Sequence, residues 1–150
     1  KGLYRSLKGE VSTDLYNIPL GKANIVRSGS SATIVTYGKA VHWAVDLVSK
    51  LDVSVEIIDL RTLMPWDRET VFASIQKTNR ALVLHEANIT GGIGAEIASI
   101  ISDESFEFLD APVKRIASLD TPIPFATNIE SNVYLPHNRL EAALRELLEY

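Results

Sequence analysis

The chain has 150 residues, 46% hydrophobic and 23% charged, with a net charge of −4 at pH 7, the size and balance of one folded domain. It has no cysteine, which excludes disulfides and thiolate metal sites and permits a reducing compartment. The acidic balance, with Lys and Arg scattered, speaks against nucleic acid, because phosphate binding needs clustered cations.

Residues 1–30 differ from the rest in holding Gly2, Gly9, Gly21 and Gly29 and only short apolar runs. They read as a surface connector from a preceding domain, with the folded domain over 31–150. The Lys1-Gly2-Leu3-Tyr4-Arg5 start lacks a signal-peptide pattern, and no apolar run approaches the roughly 20 residues of a membrane-spanning helix. Tyr16-Asn17-Ile18-Pro19-Leu20 is a candidate edge strand, with Pro19 on its outer side.

Regular alternation begins at residue 31. The β-branched run Ala32–Tyr37 reads as a buried strand ended by Gly38. Val41, Ala44, Val45 and Val48 have helical spacing, with Asp46 and Lys50 outward. A strand over Val53–Leu60 follows, then Asp67 as N-cap of a helix bearing Val71, Phe72 and Ile75. Ala81–His85 is a third buried strand. Gly91-Gly92-Ile93-Gly94 opens a helix with Ile97, Ala98, Ile100 and Ile101. Val113–Ala117 reads as a less enclosed strand because of Lys114 and Arg115. Pro122, Pro124 and Pro136 make 121–137 irregular, and Leu140, Ala143, Leu144, Leu147 and Leu148 stripe a terminal helix. Strand–helix repetition with short connections implies an α/β fold, a largely parallel sheet with helices on both faces. Its strand C-terminal ends gather at one functional edge.

No single motif there completes a known chemistry. The Gly91–Gly94 cluster fails the dinucleotide fingerprint, because the third small position is Ile97, and no Lys-Ser or Lys-Thr follows for a phosphate loop. It reads as a tight strand-to-helix turn whose glycines admit another backbone, or as an anion seat at a helix N-terminus. His85-Glu86 ends the third strand, but a zinc motif needs a histidine at position 89, where Ile89 stands. His42 and His137 lie far away in sequence. An acid/base role for His85 or Glu86 is chemically possible; the plainer reading has them bonding across an interface or capping a loop. Ser28-Gly29-Ser30-Ser31 precedes a strand and is no nucleophile elbow. Asp59 and Arg61 suggest an internal ion pair, and Trp66 is either a packed lid or a contact surface.

Taken in order, Pro19-Leu20-Gly21-Lys22-Ala23, Thr36-Tyr37-Gly38, Asp59-Leu60-Arg61-Thr62-Leu63-Met64-Pro65-Trp66-Asp67, His85-Glu86-Ala87 with Thr90–Ile97, and Asp120-Thr121-Pro122-Ile123-Pro124 form a series. The series resembles the C-terminal domain of the β subunit of thiamine-diphosphate-dependent 2-oxo acid dehydrogenases, the pyruvate and branched-chain complexes. The resemblance implies a transketolase C-terminal-domain fold, three-layer α/β/α, with a mostly parallel five-stranded sheet. It implies thiamine diphosphate and magnesium in the parent oxidoreductase, held by other domains. The Gly-Asp-Gly motif is absent here, so no catalytic, cofactor or metal residue carries over, and the chain alone is expected to bind no cofactor and to be inactive. Implied partners are an α subunit or domain, a second β subunit, and the basic subunit-binding domain of an acyltransferase core; nucleic acid and membrane are not expected. Candidate interface or docking residues are His85, Glu86, Gly91, Gly92, Gly94, Asp110, Glu146, Glu149 and the Tyr150 carboxylate. Asp103, Glu104 and Glu107 extend the acidic cluster around Asp110. The implied compartment is the cytoplasm of a bacterium or the mitochondrial matrix of a eukaryote. Two alternatives are the matching domain of a transketolase or deoxyxylulose-phosphate synthase, and a stand-alone module for a small anion at Gly92–Gly94.

Overall fold

A computed structural model describes residues 2–150; Lys1, the first residue of the expected connector, lies outside them. Runs of β-branched and aliphatic residues with no polar alternation can be satisfied only when both faces are covered. Three such runs form the interior of a five-stranded sheet. After a short helix α1 (Gly2–Ser6), the strands are β1 (Asn24–Arg27), β2 (Ala32–Thr36), β3 (Val55–Asp59), β4 (Ala81–Asn88) and β5 (Lys114–Ser118). They lie in the order β1-β3-β2-β4-β5, with β1 antiparallel to β3 and every other pairing parallel.

Helices α2 (Lys39–Val48), α3 (Arg68–Thr78), α4 (Ile93–Glu104), the single turn α5 (Thr127–Ile129) and α6 (His137–Leu148) complete the chain. On one sheet face Ala40, Ala44 and Val48 of α2 meet Leu140, Leu144 and Leu147 of α6 over Ile34, Ile57 and Leu82. On the other, Val71 and Ile75 of α3 and Ile97 and Ile101 of α4 cover Val35, Ile58 and Val83. The strand residues of the two clusters alternate along β2, β3 and β4, as the period of two requires. Each fully buried Leu or Ile contributes about 1.5–3 kcal/mol by leaving water. The result is the expected three-layer α/β/α arrangement. From β2 the chain passes through α2 to β3 on one side, and from β3 through α3 back to β4 on the other. The C-terminal ends of β2 and β4 therefore flank the switch point of the sheet.

Some boundaries differ from the sequence reading. The edge strand is Asn24–Arg27, not Tyr16–Leu20. Its antiparallel pairing with β3 brings part of the expected connector into the sheet. β4 runs three residues past His85, to Asn88, because a register shift lets Asn88 pair with Ser118. The expected irregular stretch before α6 contains α5 and a wide helical turn over Glu130–Tyr134. Arg139 anchors that turn by donating to the carbonyls of Ala117 (2.7 Å) and Val133 (3.0 Å), a long-range tie that local sequence pattern cannot show.

Asp67 joins two of the motifs. Its carboxylate accepts from the Thr70 N–H at 3.2 Å as N-cap of α3, and from the Ala23 N–H at 2.9 Å just before β1. Burial alone would raise this carboxyl group, but the hydrogen bonds from Ala23 and Thr70 outweigh it and hold the pKa below the ordinary carboxylate value. Replacement by Ala strands both N–H groups. We expect Asp67→Ala to lower unfolding free energy by about 2–3 kcal/mol, and Asp67→Asn, which keeps an acceptor, to lose less. Urea unfolding of the two variants measures this; equal and negligible losses would show that the carboxylate is not the anchor.

Candidate functional site at the strand edge

The C-terminal ends of the parallel strands bring the motifs together. Tyr37 follows β2, His85 and Glu86 lie on β4, and Ser118 to Asp120 leave β5. Where β3 ends, the Leu60 N–H donates to the Thr36 carbonyl at 2.9 Å. His85 points to the α3–α4 face, where its ring stacks on Tyr37 with centroids 6.2 Å apart and planes 13° off parallel. It is 0% exposed.

The glycines explain how the ring fits. α4 starts at Ile93 with Gly92 as its cap and no side-chain capping bond. A methyl group built on Gly92 would lie 2.6 Å from His85 Cε1, and one on Gly94 would overlap Cδ2 and Nε2 of the same ring. Gly91, exposed, turns the chain with φ +74°, a conformation glycine adopts without strain. The turn is thus cut to receive an imidazole from its own strand. That contact fills the side-chain faces of Gly92 and Gly94.

Around this contact the edge is cross-tied. Thr90 donates through its N–H (3.0 Å) and hydroxyl (2.7 Å) to Asp120. Arg115 donates to the Ile89 carbonyl at 3.1 Å, and the Tyr134 hydroxyl donates to Asn88 Oδ1 at 2.9 Å. Glu86 faces the opposite layer, half-exposed, with Lys39 Nζ 3.9 Å away. Lys39 also lies over the Trp43 ring, which stacks on His137.

The charged side chains of this edge are engaged within the chain. Among the described residues, no three His, Asp or Glu side chains gather into a possible metal site. Of the edge cations, Arg115 is bonded to Ile89 and Lys39 is paired with Glu86. His85 faces helix α4 of its own chain and presents no atom to solvent, while Glu86 and Gly91 are exposed at the edge. The expected Asp59–Arg61 ion pair is instead a contact between the Asp59 carboxylate and the Arg61 N–H at 3.1 Å. Trp66 is packed, 8% exposed, edge-on to Phe72 and beneath Arg68.

The acidic candidates lie away from this edge. Asp110 sits 4.0 Å from Arg80, and Glu146 bonds Lys114; Glu149 and Tyr150 are exposed at the chain's end. The sequence reading missed the buried hydroxyl trio Thr33, Ser74 and Thr78, with contacts of 2.6 and 2.7 Å. It also missed Glu56, buried at 1% exposure and paired with Lys77. Burial acts to raise the Glu56 carboxyl, but hydrogen bonds from Lys77 and Ser74 bring its pKa below the ordinary value. A carboxylate in an otherwise apolar strand was the one available signal.

Residues 21–139 match the family described as transketolase, C-terminal domain. The chain is 40% identical along its whole length to the 2-oxoisovalerate dehydrogenase subunit beta of Bacillus subtilis (strain 168), covering 47% of that protein. It is 46% identical, over 83% of its own length and 34% of the relative's, to the mitochondrial pyruvate dehydrogenase E1 component subunit beta-2 of Oryza sativa subsp. japonica. The chain therefore spans half or less of the length of these curated relatives. An inactive β4 tetramer of a split-gene transketolase shares the fold at TM-score 0.75 and 22% identity, over 94% of this chain and 46% of that one.

The glycine notch is testable by exchange of volume. We expect Gly94→Ala to destabilise by about 1–3 kcal/mol through overlap with the His85 ring. Combining it with His85→Ala should recover at least about 0.5 kcal/mol, because the truncated ring frees the space the methyl needs. A double-mutant cycle by denaturant unfolding reads both; strict additivity would mean the two residues do not meet.

Proposed function

Because the chain belongs to the transketolase C-terminal-domain family, we propose that it is the assembly and docking domain in the β part of a 2-oxo acid dehydrogenase. The parent enzyme oxidatively decarboxylates pyruvate or a branched-chain 2-oxo acid with thiamine diphosphate and magnesium, which parts outside this chain hold. The observation that carries this reading is the whole-length identity to a dehydrogenase β subunit. It fits a strand edge where Thr90, Asp120, Arg115 and Asn88 are bonded within the chain.

Assembly has a physical basis in the same edge. Met64 (77%), Ile123 (70%) and Phe125 (105%) are exposed on the loops after β3 and β5, large apolar side chains that a partner subunit would cover. These loops, with Glu86 and Gly91, form the surface proposed to meet the α subunit and the second β subunit. Docking of the basic acyltransferase domain is assigned to the acidic groups at the other positions. Glu149 is the stronger choice, because Glu146 is held by Lys114 and Asp110 lies beside Arg80. Among the described residues no helix is long and apolar enough to cross a membrane. The compartment assigned is the cytoplasm in a bacterium and the mitochondrial matrix in a eukaryote.

Reconstitution tests the assignment. Full-length β protein mixed with its α partner, thiamine diphosphate and magnesium should reduce an artificial electron acceptor when given pyruvate or a branched-chain 2-oxo acid. The 150-residue chain in place of the full β protein should give no activity. The assembled enzyme should be captured by the acyltransferase core more weakly after Glu149→Lys, most visibly at low ionic strength. Activity from the short chain, or none from the complete pair on either substrate class, contradicts the proposal; unaltered capture removes Glu149 from the dock.

A further inference from the structure

One titratable group at the strand edge is enclosed by its own chain. His85 is fully buried, and neither ring nitrogen completes a hydrogen bond. The elements around it offer no counter-charge. β2 presents Tyr37, whose hydroxyl is raised by burial and then by Glu86. β5 presents Arg115, a cation. The first turn of α4 carries Glu96, which is exposed. On β4 itself Glu86 pairs with Lys39, and the nearby Asp120 holds Thr90. None of these carboxylates makes an ion pair with the ring among the described residues.

A proton on this ring places a second cation near Arg115 and at the positive end of the α4 dipole, in a cage without a carboxylate. We propose that His85 is an acid-sensitive latch: neutral, it locks the Gly91–Gly94 turn and α4 onto the strand edge, and protonated, it leaves the glycine notch and the turn opens. The opening spreads to the loop after β5, because Asn88 and Thr90 tie the segment between His85 and Gly91 to Tyr134, Leu119 and Asp120.

The direction follows from linkage. Burial lowers the His85 pKa; the Ala87 carbonyl acts against this and Arg115 adds to it. The opened form, with an ordinary imidazole of pKa about 6.5, binds more protons than the closed form below that pH. The closed state is therefore fully stable above about pH 6.5 and loses stability as pH falls, until the depressed pKa of the buried ring is reached. Across that window the opening equilibrium rises about tenfold per pH unit.

Hydrogen–deuterium exchange of the full-length protein between about pH 7.5 and about pH 5, corrected for intrinsic exchange, reads the latch. Peptides covering 86–98 should lose protection by about tenfold per pH unit below about pH 6.5, while those of α6 keep theirs. His85→Phe, which keeps a stacking ring and cannot titrate, should abolish the slope in 86–98. The contrast between the two regions in the wild type needs no variant to fold. Protection in 86–98 that is independent of pH, or a slope that persists in a folded His85→Phe protein, overturns the latch.

Discussion

An imidazole lying where two side chains are missing organises the C-terminal edge of this sheet. Gly92 and Gly94 leave the space that the His85 ring fills, and Tyr37 closes the other side. Any larger residue in the notch would lever the first turn of α4 away from β4, and with it the loop that ties β4 to β5. The interior of protein folds is packed closely enough that one methyl group is felt.

The same edge explains why the motifs occur together. Pro19–Ala23 is clamped to the loop before α3 by Asp67 and by the Thr62 hydroxyl, which accepts from the Gly21 N–H. Thr36 receives the backbone of β3, and Asp120 secures Thr90. Each motif serves the positioning of its neighbours. At this edge Asp67, Thr62, Asp120 and Arg115 are bonded within the chain, and Met64, Ile123 and Phe125 are exposed on the loops. That division of labour suits a domain that holds other parts of an enzyme in place.

The layered fold was legible because its signals are local. Uninterrupted aliphatic runs marked β2, β3 and β4, and the stripe from Leu140 to Leu147 marked α6. β1 was not, since four residues of mixed burial have no pattern of their own and become a strand only against β3. The turn before α6 was hidden for a similar reason: its stability comes from Arg139 reaching Ala117, 22 positions away. At the strand edge, the glycine spacing announced a close approach but not what approached. That it was the chain's own histidine, and that Glu56 found Lys77 inside an apolar strand, depended on which elements the topology made neighbours.

The proposed assembly role requires that partner subunits cover the apolar loops at the strand edge. Hydroxyl-radical footprinting of Met64 and Phe125, in the full-length β protein alone and in its assembled complex, tests it most directly. Met64 is the only methionine within these 150 residues, so the peptide that spans it reports on that loop alone. Both side chains should react freely in the lone subunit, in keeping with their 77% and 105% exposure, and be shielded on assembly. Equal reactivity in the two states would contradict it.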